Sequence, residues 1–311
     1  MITYRETHDL DLDALGRLRE DCGFATRSQD DLAQQVAGAR WVVSAWDAAR
    51  LVGFARAISD GVTNAYVSSV MVDAKYRRRG IGRELIRRLV EGRRTDGIVL
   101  ARTQVDDPRI RYLAGSGIPF VVMGRTETTL PYAHVDGDGT AAFAQATRRL
   151  LALGHRDIAY IGAAPEFMFS ELRRTGWAAA MRAASLSPAI SAHTAATEHG
   201  GLKAARALLA STPRPTAFLC ATDRIAIGAL RAIKEAGLAV GRDVSVVGHD
   251  NLSASAFAEP ALTTMELPIP EVGARLAEML IALIGGADAR EFAEVWPVLP
   301  IERASTGPAP T

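Results

Sequence analysis

Six consecutive residues, Arg77-Arg78-Arg79-Gly80-Ile81-Gly82, carry the densest chemical signal in this chain. They follow an apolar run, Val70-Met71-Val72, and precede Arg83-Glu84-Leu85-Ile86. The pattern predicts a strand, then a basic glycine-bearing loop, then the first turn of a helix. A loop of this kind leaves the first helical amides without intrahelical acceptors, and the helix dipole adds positive potential at the same place. Gly80 and Gly82 let the backbone approach a bulky anion, and the arginines supply charge-assisted donors. The chemistry expected is the holding of a phosphate or pyrophosphate.

The elements needed to position that loop are legible on its N-terminal side. Ile2 to Arg5 alternates like a strand, Asp9 to Glu20 and Asp30 to Ala37 read as short helices, and three apolar strands follow at 41–45, 51–58 and 65–72. Asp60-Gly61 is a hairpin signal before the last of them. After the loop, Leu85, Ile86, Leu89 and Val90 form one apolar helix face. From Ile98 onward strands alternate with helices, which predicts a parallel sheet. In such sheets ligands bind at the C-terminal ends of the strands.

Bulk composition excludes several classes. The chain has 311 residues, room for two domains, with 48% hydrophobic and 23% charged residues, ordinary for a globular protein. A net charge of +1 gives no global attraction to nucleic acid or membrane. Cys22 and Cys220 match no metal or redox spacing, and two free thiols suit a reducing cytoplasm. No signal-peptide core or membrane-length apolar run is read, so a cytoplasmic protein is expected. The six histidines form no zinc pattern, and no G-x-S-x-G, Walker A or Rossmann fingerprint occurs. No metal is expected. The small, proline-bearing tail from Ala304 is expected to fray.

The loop resembles motif A, (R/Q)-x-x-G-x-(G/A), of the GNAT superfamily of acetyltransferases. The resemblance implies bound acetyl-CoA and acetyl transfer to an amine acceptor. Backbone groups of Val70 and Val72 would hold the pantetheine arm, and the stretch with Arg77, Arg78, Gly80, Gly82 and Arg83 the pyrophosphate. A tyrosine could serve as general acid, with Tyr112 a weak candidate that also fits simple packing. Glu6 or Glu20 could serve as base, with nothing to single out either.

Residues 95–311 resemble the effector-binding region of LacI/GalR-type repressors, a two-lobed periplasmic-binding-protein-like fold. The matching phrases include 150–162, Arg173-Arg174-Thr175-Gly176-Trp177, Asp223 to Leu230, Gly241 to Asp250 and Pro260 to Met265. The resemblance carries ligand positions onto Asp138, Arg173, Thr222 and Asp250. Arg173 and Asp250 are the strongest of these; the alternatives are a structural ion pair for Arg173 and a capping role for Asp223 and Asp250, and His155 reads as a structural turn residue. The 100–113 phrase looks like the α-glucoside-responsive branch, so a glucoside-like sugar is the expected effector. No helix-turn-helix precedes the region, so DNA binding is not expected, nor is a membrane partner. A homodimer fits the family habit.

The fold class expected is α/β: a truncated GNAT-like mixed sheet (1–94) joined through a shared helix to a periplasmic-binding-protein-like parallel α/β sandwich (95–311) lacking its first strand–helix units. The helix Arg83–Gly92 would serve both parts, with Ile98–Leu100 beside the strand that ends at Val72. The function expected is an N-acetyltransferase fused to a sugar-binding regulatory module. The alternatives are a non-enzymatic, regulator-derived sugar-binding module and an inactive chimera.

Overall fold

A computed structural model describes residues 2–24, 26–59, 65–91 and 96–310. In chain order the first elements are β1 (Ile2–Arg5), α1 (Leu12–Asp21), α2 (Gln29–Ala37), β2 (Trp41–Asp47), β3 (Arg50–Ser59), β4 (Ala65–Val72) and α3 (Ile81–Glu91). Next come β5 (Ile98–Ala101), α4 (Pro108–Ala114), β6 (Phe120–Met123), β7 (Ala133–Gly137), α5 (Gly139–Ala152), β8 (Ile158–Gly162), α6 (Met168–Ala183) and β9 (Ser191–His193). The rest are α7 (Glu198–Leu209), β10 (Ala217–Cys220), α8 (Asp223–Glu235), β11 (Ser245–Val247), α9 (Ser253–Ala256), β12 (Thr264–Glu266), α10 (Ile269–Ile284), β13 (Ala293–Trp296) and β14 (Leu299–Ile301). The Asp60-Gly61 signal lies outside the described residues.

The first sheet is antiparallel, in the order β1-β2-β3-β4. Its two faces follow the period-two alternation of its strands. Val42, Trp46, Phe54 and Met71 pack with Leu15, Leu18, Leu32 and Val36 of α1 and α2. Val43, Val52, Ala55 and Ala57 pack with Ile81, Leu85 and Leu89 of α3. Asp11 and Ser28 start α1 and α2 by accepting bonds from first-turn amides, Asp13 and Ala14 in one case and Asp31 in the other.

Three further sheets follow the order β11-β10-β8-β9, the order β13-β7-β6-β5, and the pair β12-β14. Strands β8, β9, β10 and β11 are parallel, as are β7 and β13. Every residue of β8 and of β10 is buried, as expected of parallel strands covered on both sides. Helices α5 and α6 approach closely because Gly176 has no side chain: a Cβ there would collide with the Thr140 carbonyl. This is the α/β class expected, with an antiparallel N-terminal sheet and periplasmic-binding-protein-like parallel sheets.

Two expectations are corrected. Ile98–Leu100 does not lie in the sheet of β4, because β5 belongs to the sheet of β6, β7 and β13. Helix α3 contacts β2, β3 and β4, where its apolar stripe is spent. The tail is also pinned rather than frayed. Ser305 is fully buried, accepting from the Thr263 amide (2.8 Å) and donating to the Val246 carbonyl (2.6 Å), and the Ala309 amide donates to Leu153 (2.8 Å). His155 secures the same segment, with Nε2 3.0 Å from Ser245 Oγ and 3.1 Å from the Gly307 carbonyl.

The chain divides into two compact units. Unit 1 comprises Met1–Leu100, Pro108–Val121 and Glu278–Ala289; unit 2 comprises Ala101–Asp107, Val122–Ala277 and Arg290–Thr311.

Candidate functional site

Each unit carries one candidate site. In unit 1, β4 ends at Val72, and Asp73 caps a short turn by accepting from the Lys75 amide at 2.9 Å. The chain then runs through the basic loop into α3. Glu84 N donates to Gly80 O at 3.0 Å, the first bond of the helix. Among the described residues, the backbone amides from Arg78 to Gly82 meet no acceptor. Gly80 has φ +80° and, among the described residues, nothing within 4 Å of where a Cβ would stand. At Gly82 a Cβ would meet only Val72 Cγ2, at 3.6 Å. A row of unpaired amides beside two bare glycines is a cradle that fits a pyrophosphate.

The arginines are unequal. Arg77 donates its Nε to the Val72 carbonyl at 3.2 Å and so braces the loop. Arg79 lies over the Tyr76 ring at 4.9 Å. Arg78 is exposed and held at φ 63°, where non-glycine residues pay a steric cost. Arg83 is exposed on the first turn of α3. Glu84, in the same turn, is committed to Arg87 and Arg88, whose hydrogen bonds hold its carboxyl down at about 2.

The β3–β4 pairing shifts register beside the loop. Phe54 pairs with Met71 and Arg56 with Ser68, so Ser69 and Val70 together stand opposite the single Ala55. This is a β-bulge, with Ser69 at φ 57° and Val70 exposed. The Val72 carbonyl, by contrast, already accepts from Arg77 and from Cys22 Sγ, the latter at 3.3 Å. Glu6 lies 3.4 Å from Arg88, Glu20 accepts from Thr26 at 3.1 Å, and Tyr112 is half-buried on α4.

In unit 2 a cavity of ≈ 330 Å³ opens at the C-terminal ends of parallel strands. Arg173, Thr222, Asp250, His249, Arg125 and Asp136 supply much of its polar lining. Arg173 comes from the first turns of α6 and is only 11% exposed. Its Nη1 donates to the Ala221 carbonyl and stands 4.0 Å from Asp250 Oδ1. Its guanidinium lies 5.0 Å from the Phe169 ring centre and 5.9 Å from that of Phe143. Its Nε is buried with no hydrogen-bond partner among the described residues. A buried donor without an acceptor is costly, and a ligand oxygen would relieve that cost.

Asp250 sits at φ 116° just beyond β11, a strained backbone that presents its carboxylate to the cavity. His249 Nδ1 is 2.9 Å from Asp250 Oδ1. Burial, then the Arg173 cation, push the His249 imidazole down to about 4, against the opposing pull of Asp250. The ring is therefore neutral at pH 7.

Among the sequence-derived residues, Arg173, Thr222 and Asp250 meet at this cavity. Asp138 does not line it: its carboxylate caps α5, accepting from the Ala141 amide at 2.9 Å. The carboxylate that does face the cavity from this strand is Asp136, bonded to Arg125 Nε at 2.8 Å. Sequence reasoning missed Asp136, Arg125 and His249. Position at a strand end was the available signal for Asp136. Asp223 is a buried support, accepting from Leu252 N (2.9 Å), Ser255 Oγ (2.6 Å) and Thr264 Oγ1 (2.5 Å).

Comparison with known proteins finds two different family models in two parts of the chain. Residues 147–306 match the model of the periplasmic binding protein-like domain, and residues 4–114 match that of the acetyltransferase (GNAT) family. The chain is 39% identical over 231 residues to the HTH-type transcriptional regulator AglR of Rhizobium meliloti, covering 72% of this chain and 65% of AglR. It is 33% identical to RafR of Escherichia coli, also an HTH-type transcriptional regulator, over 67% of this chain and 63% of RafR. It thus spans less than two thirds of these relatives' lengths. Among solved structures, a LacI-family regulatory protein from Chloroflexus aggregans matches with a TM-score of 0.66 and 32% identity, over 72% of this chain and 81% of that one. A CelR–cellobiose complex matches with a TM-score of 0.66 and 31% identity, over 73% and 70%. Among the described residues no helix is long and apolar enough to cross a membrane.

Proposed function

This chain belongs to the periplasmic binding protein-like family, and from that premise we propose a two-site protein: an acetyl-CoA-dependent N-acetyltransferase unit attached to a sugar-sensing unit. The observation that carries the first half is the row of unpaired amides from Arg78 to Gly82 at the end of β4. Loop amides and the arginines would hold the pyrophosphate, and the bulge at Ser69–Val70 offers the strand edge along which the pantetheine arm would run. Of the two strand residues named from sequence, Val70 is the better placed, because the Val72 carbonyl already has two donors. Acetyl-CoA supplies an activated thioester, and the chain's task is to hold it and present an amine. Tyr112 remains a proposed acid on its residue type alone.

In the second half, Arg173 and Asp250 form a donor–acceptor pair suited to adjacent sugar hydroxyls, with Thr222 and Asp136 beside them. A cavity of ≈ 330 Å³ suits a small sugar or glycoside. The CelR–cellobiose complex shares this fold, and a glucoside is the ligand we propose to try first. We further propose a cytoplasmic protein that does not bind DNA through the described units and that pairs as a homodimer.

Two assays test this reading. Release of free CoA thiol from acetyl-CoA in the presence of an amine panel tests the first unit. A thermal shift with glucosides tests the second, because a ligand of the native state raises apparent stability. Thiol release with no glucoside response would leave only the transferase half. A glucoside response with no thiol release would leave a non-enzymatic sugar-binding module with unit 1 as scaffold.

A further inference from the structure

Unit 1 holds a second group of cations, away from the basic loop. Arg19 lies in the last turn of α1, Arg27 between α1 and α2, and Arg56 in the middle of β3. Arg19 is 6% exposed and lies 5.4 Å over the Phe24 ring. Arg56 is half-buried; it donates from Nη1 to the Gln35 carbonyl at 2.7 Å, and its Nε is buried with no hydrogen-bond partner among the described residues. Burial first, and then the neighbouring charges of Arg19 and Arg27, disfavour the charged form of Arg56. Among the described residues no carboxylate lies in salt-bridge range of Arg27 or Arg56. The neighbouring Glu20 instead accepts from Thr26.

Like charges gathered in a partly buried place raise the free energy of the fold unless an anion joins them. The position of the group suggests which anion. Arg56 pairs in register with Ser68, at the edge of the bulge formed by Ser69 and Val70. Ser68 is four residues before Val72, about 13 Å back along the strand from the start of the phosphate loop. A cofactor whose pyrophosphate sits on that loop and whose arm runs back along β4 brings its acyl end toward this bulge. On that reading, the amine that attacks the acyl carbon would approach near Arg56, the register partner of Ser68.

We propose that the acceptor of unit 1 is an anionic primary amine, one that carries a carboxylate or a phosphate, and that Arg56 and Arg27, with Arg19 behind them, hold its anionic end. This inference rests on the acetyl-transfer reading above. In the reaction the amine nitrogen bonds to the acetyl carbon and the carbon–sulfur bond breaks. CoA leaves as the thiolate, and the proton lost by the amine goes to solvent or to that sulfur. The arginines take no part in proton transfer; they fix which amine is presented.

The test uses the whole chain. Thiol release from acetyl-CoA is followed with glycine and glutamate against glycinamide and glutamine α-amide, and with O-phosphoethanolamine against ethanolamine. The expected result is at least a tenfold higher kcat/KM for the anionic member of each pair. The preference should fall toward one in Arg56→Gln and in Arg27→Gln, through KM rather than kcat. Arg27 is exposed, so its variant should fold even if the Arg56 variant does not. Preference in the amino-acid pairs alone selects the carboxylate, and in the phosphate pair alone the phosphate. Equal rates across every pair would overturn the proposal. A calorimetric titration with N-acetylglycine and N-acetylglycinamide, without cofactor, reads the same site independently of turnover. Saturable binding of the acid only, weakened in Arg27→Gln, supports the inference even where acetyl-CoA fails to bind. Equal binding of both, or absent binding of both together with no preference in the phosphate pair, overturns it even where acetyl-CoA binds.

Discussion

The two candidate sites meet polar ligands by opposite means. The loop of unit 1 offers backbone: successive amides without acceptors, two glycines, and arginines that are mostly exposed. The cavity of unit 2 offers side chains: a nearly buried Arg173, a strained Asp250 and a neutral His249, each braced before any ligand arrives. A backbone site is selected by charge and space, so it suits a pyrophosphate, whose charge is spread over many oxygens. A braced side-chain site is selected by the direction of each donor and acceptor, so it suits a sugar, whose isomers differ only in direction.

The sharpest break between the two comes from Gly82→Glu. A carboxylate placed where only Val72 Cγ2 is near should repel a pyrophosphate and weaken acetyl-CoA binding on the order of 100-fold. The glucoside thermal shift should not change, and calorimetry with both ligands checks the pair of outcomes. Next in size is Asp223→Ala, which strips three donors of their acceptor beneath the cavity. A loss of about 3 kcal/mol in urea unfolding is expected, with acetyl-CoA affinity retained where the chain folds.

The pH dependence should belong chiefly to unit 2. His249 titrates near 4 in the folded chain and near 6.5 unfolded, so between these values the unfolded chain binds more protons. Stability is then complete above about pH 6.5 and declines as pH falls toward 4, by on the order of 3 kcal/mol. Burial lowers His155 in the same direction. Unfolding curves at pH 7.5 and 5 check this, and His249→Gln should flatten the difference. The smallest effect is Arg78→Gly, which relieves a left-handed residue at φ 63°. A gain of about 0.5 kcal/mol is expected, since glycine's extra freedom in the unfolded chain offsets part of the relief. Chemical denaturation measures it.

The same contrast explains what could be read from sequence. The basic loop was legible because its parts are contiguous: strand, Arg77 to Gly82, and helix follow one another, and local rules alone set their geometry. The unit 2 cavity gathers residues between Ala101 and Ile269, so only a family resemblance could nominate Arg173, Thr222 and Asp250 together. It nominated Asp138, whose side chain caps α5, while Asp136 lines the cavity. The partner of β5 was misjudged for a related reason. Ile98–Leu100 is apolar enough for either sheet, and nothing local distinguishes the edge of β4 from the edge of β6. The cationic group at Arg19, Arg27 and Arg56 was invisible for the same cause, being three residues brought together only by the packing of α1 and α2 on β3.

The most direct test of the account is calorimetric titration of the whole chain with acetyl-CoA, beside a parallel titration of Gly82→Glu. The account predicts one site of micromolar affinity in the parent chain and no saturable heat in the variant. No binding to a parent chain shown to be folded, or equal binding by both proteins, would contradict it.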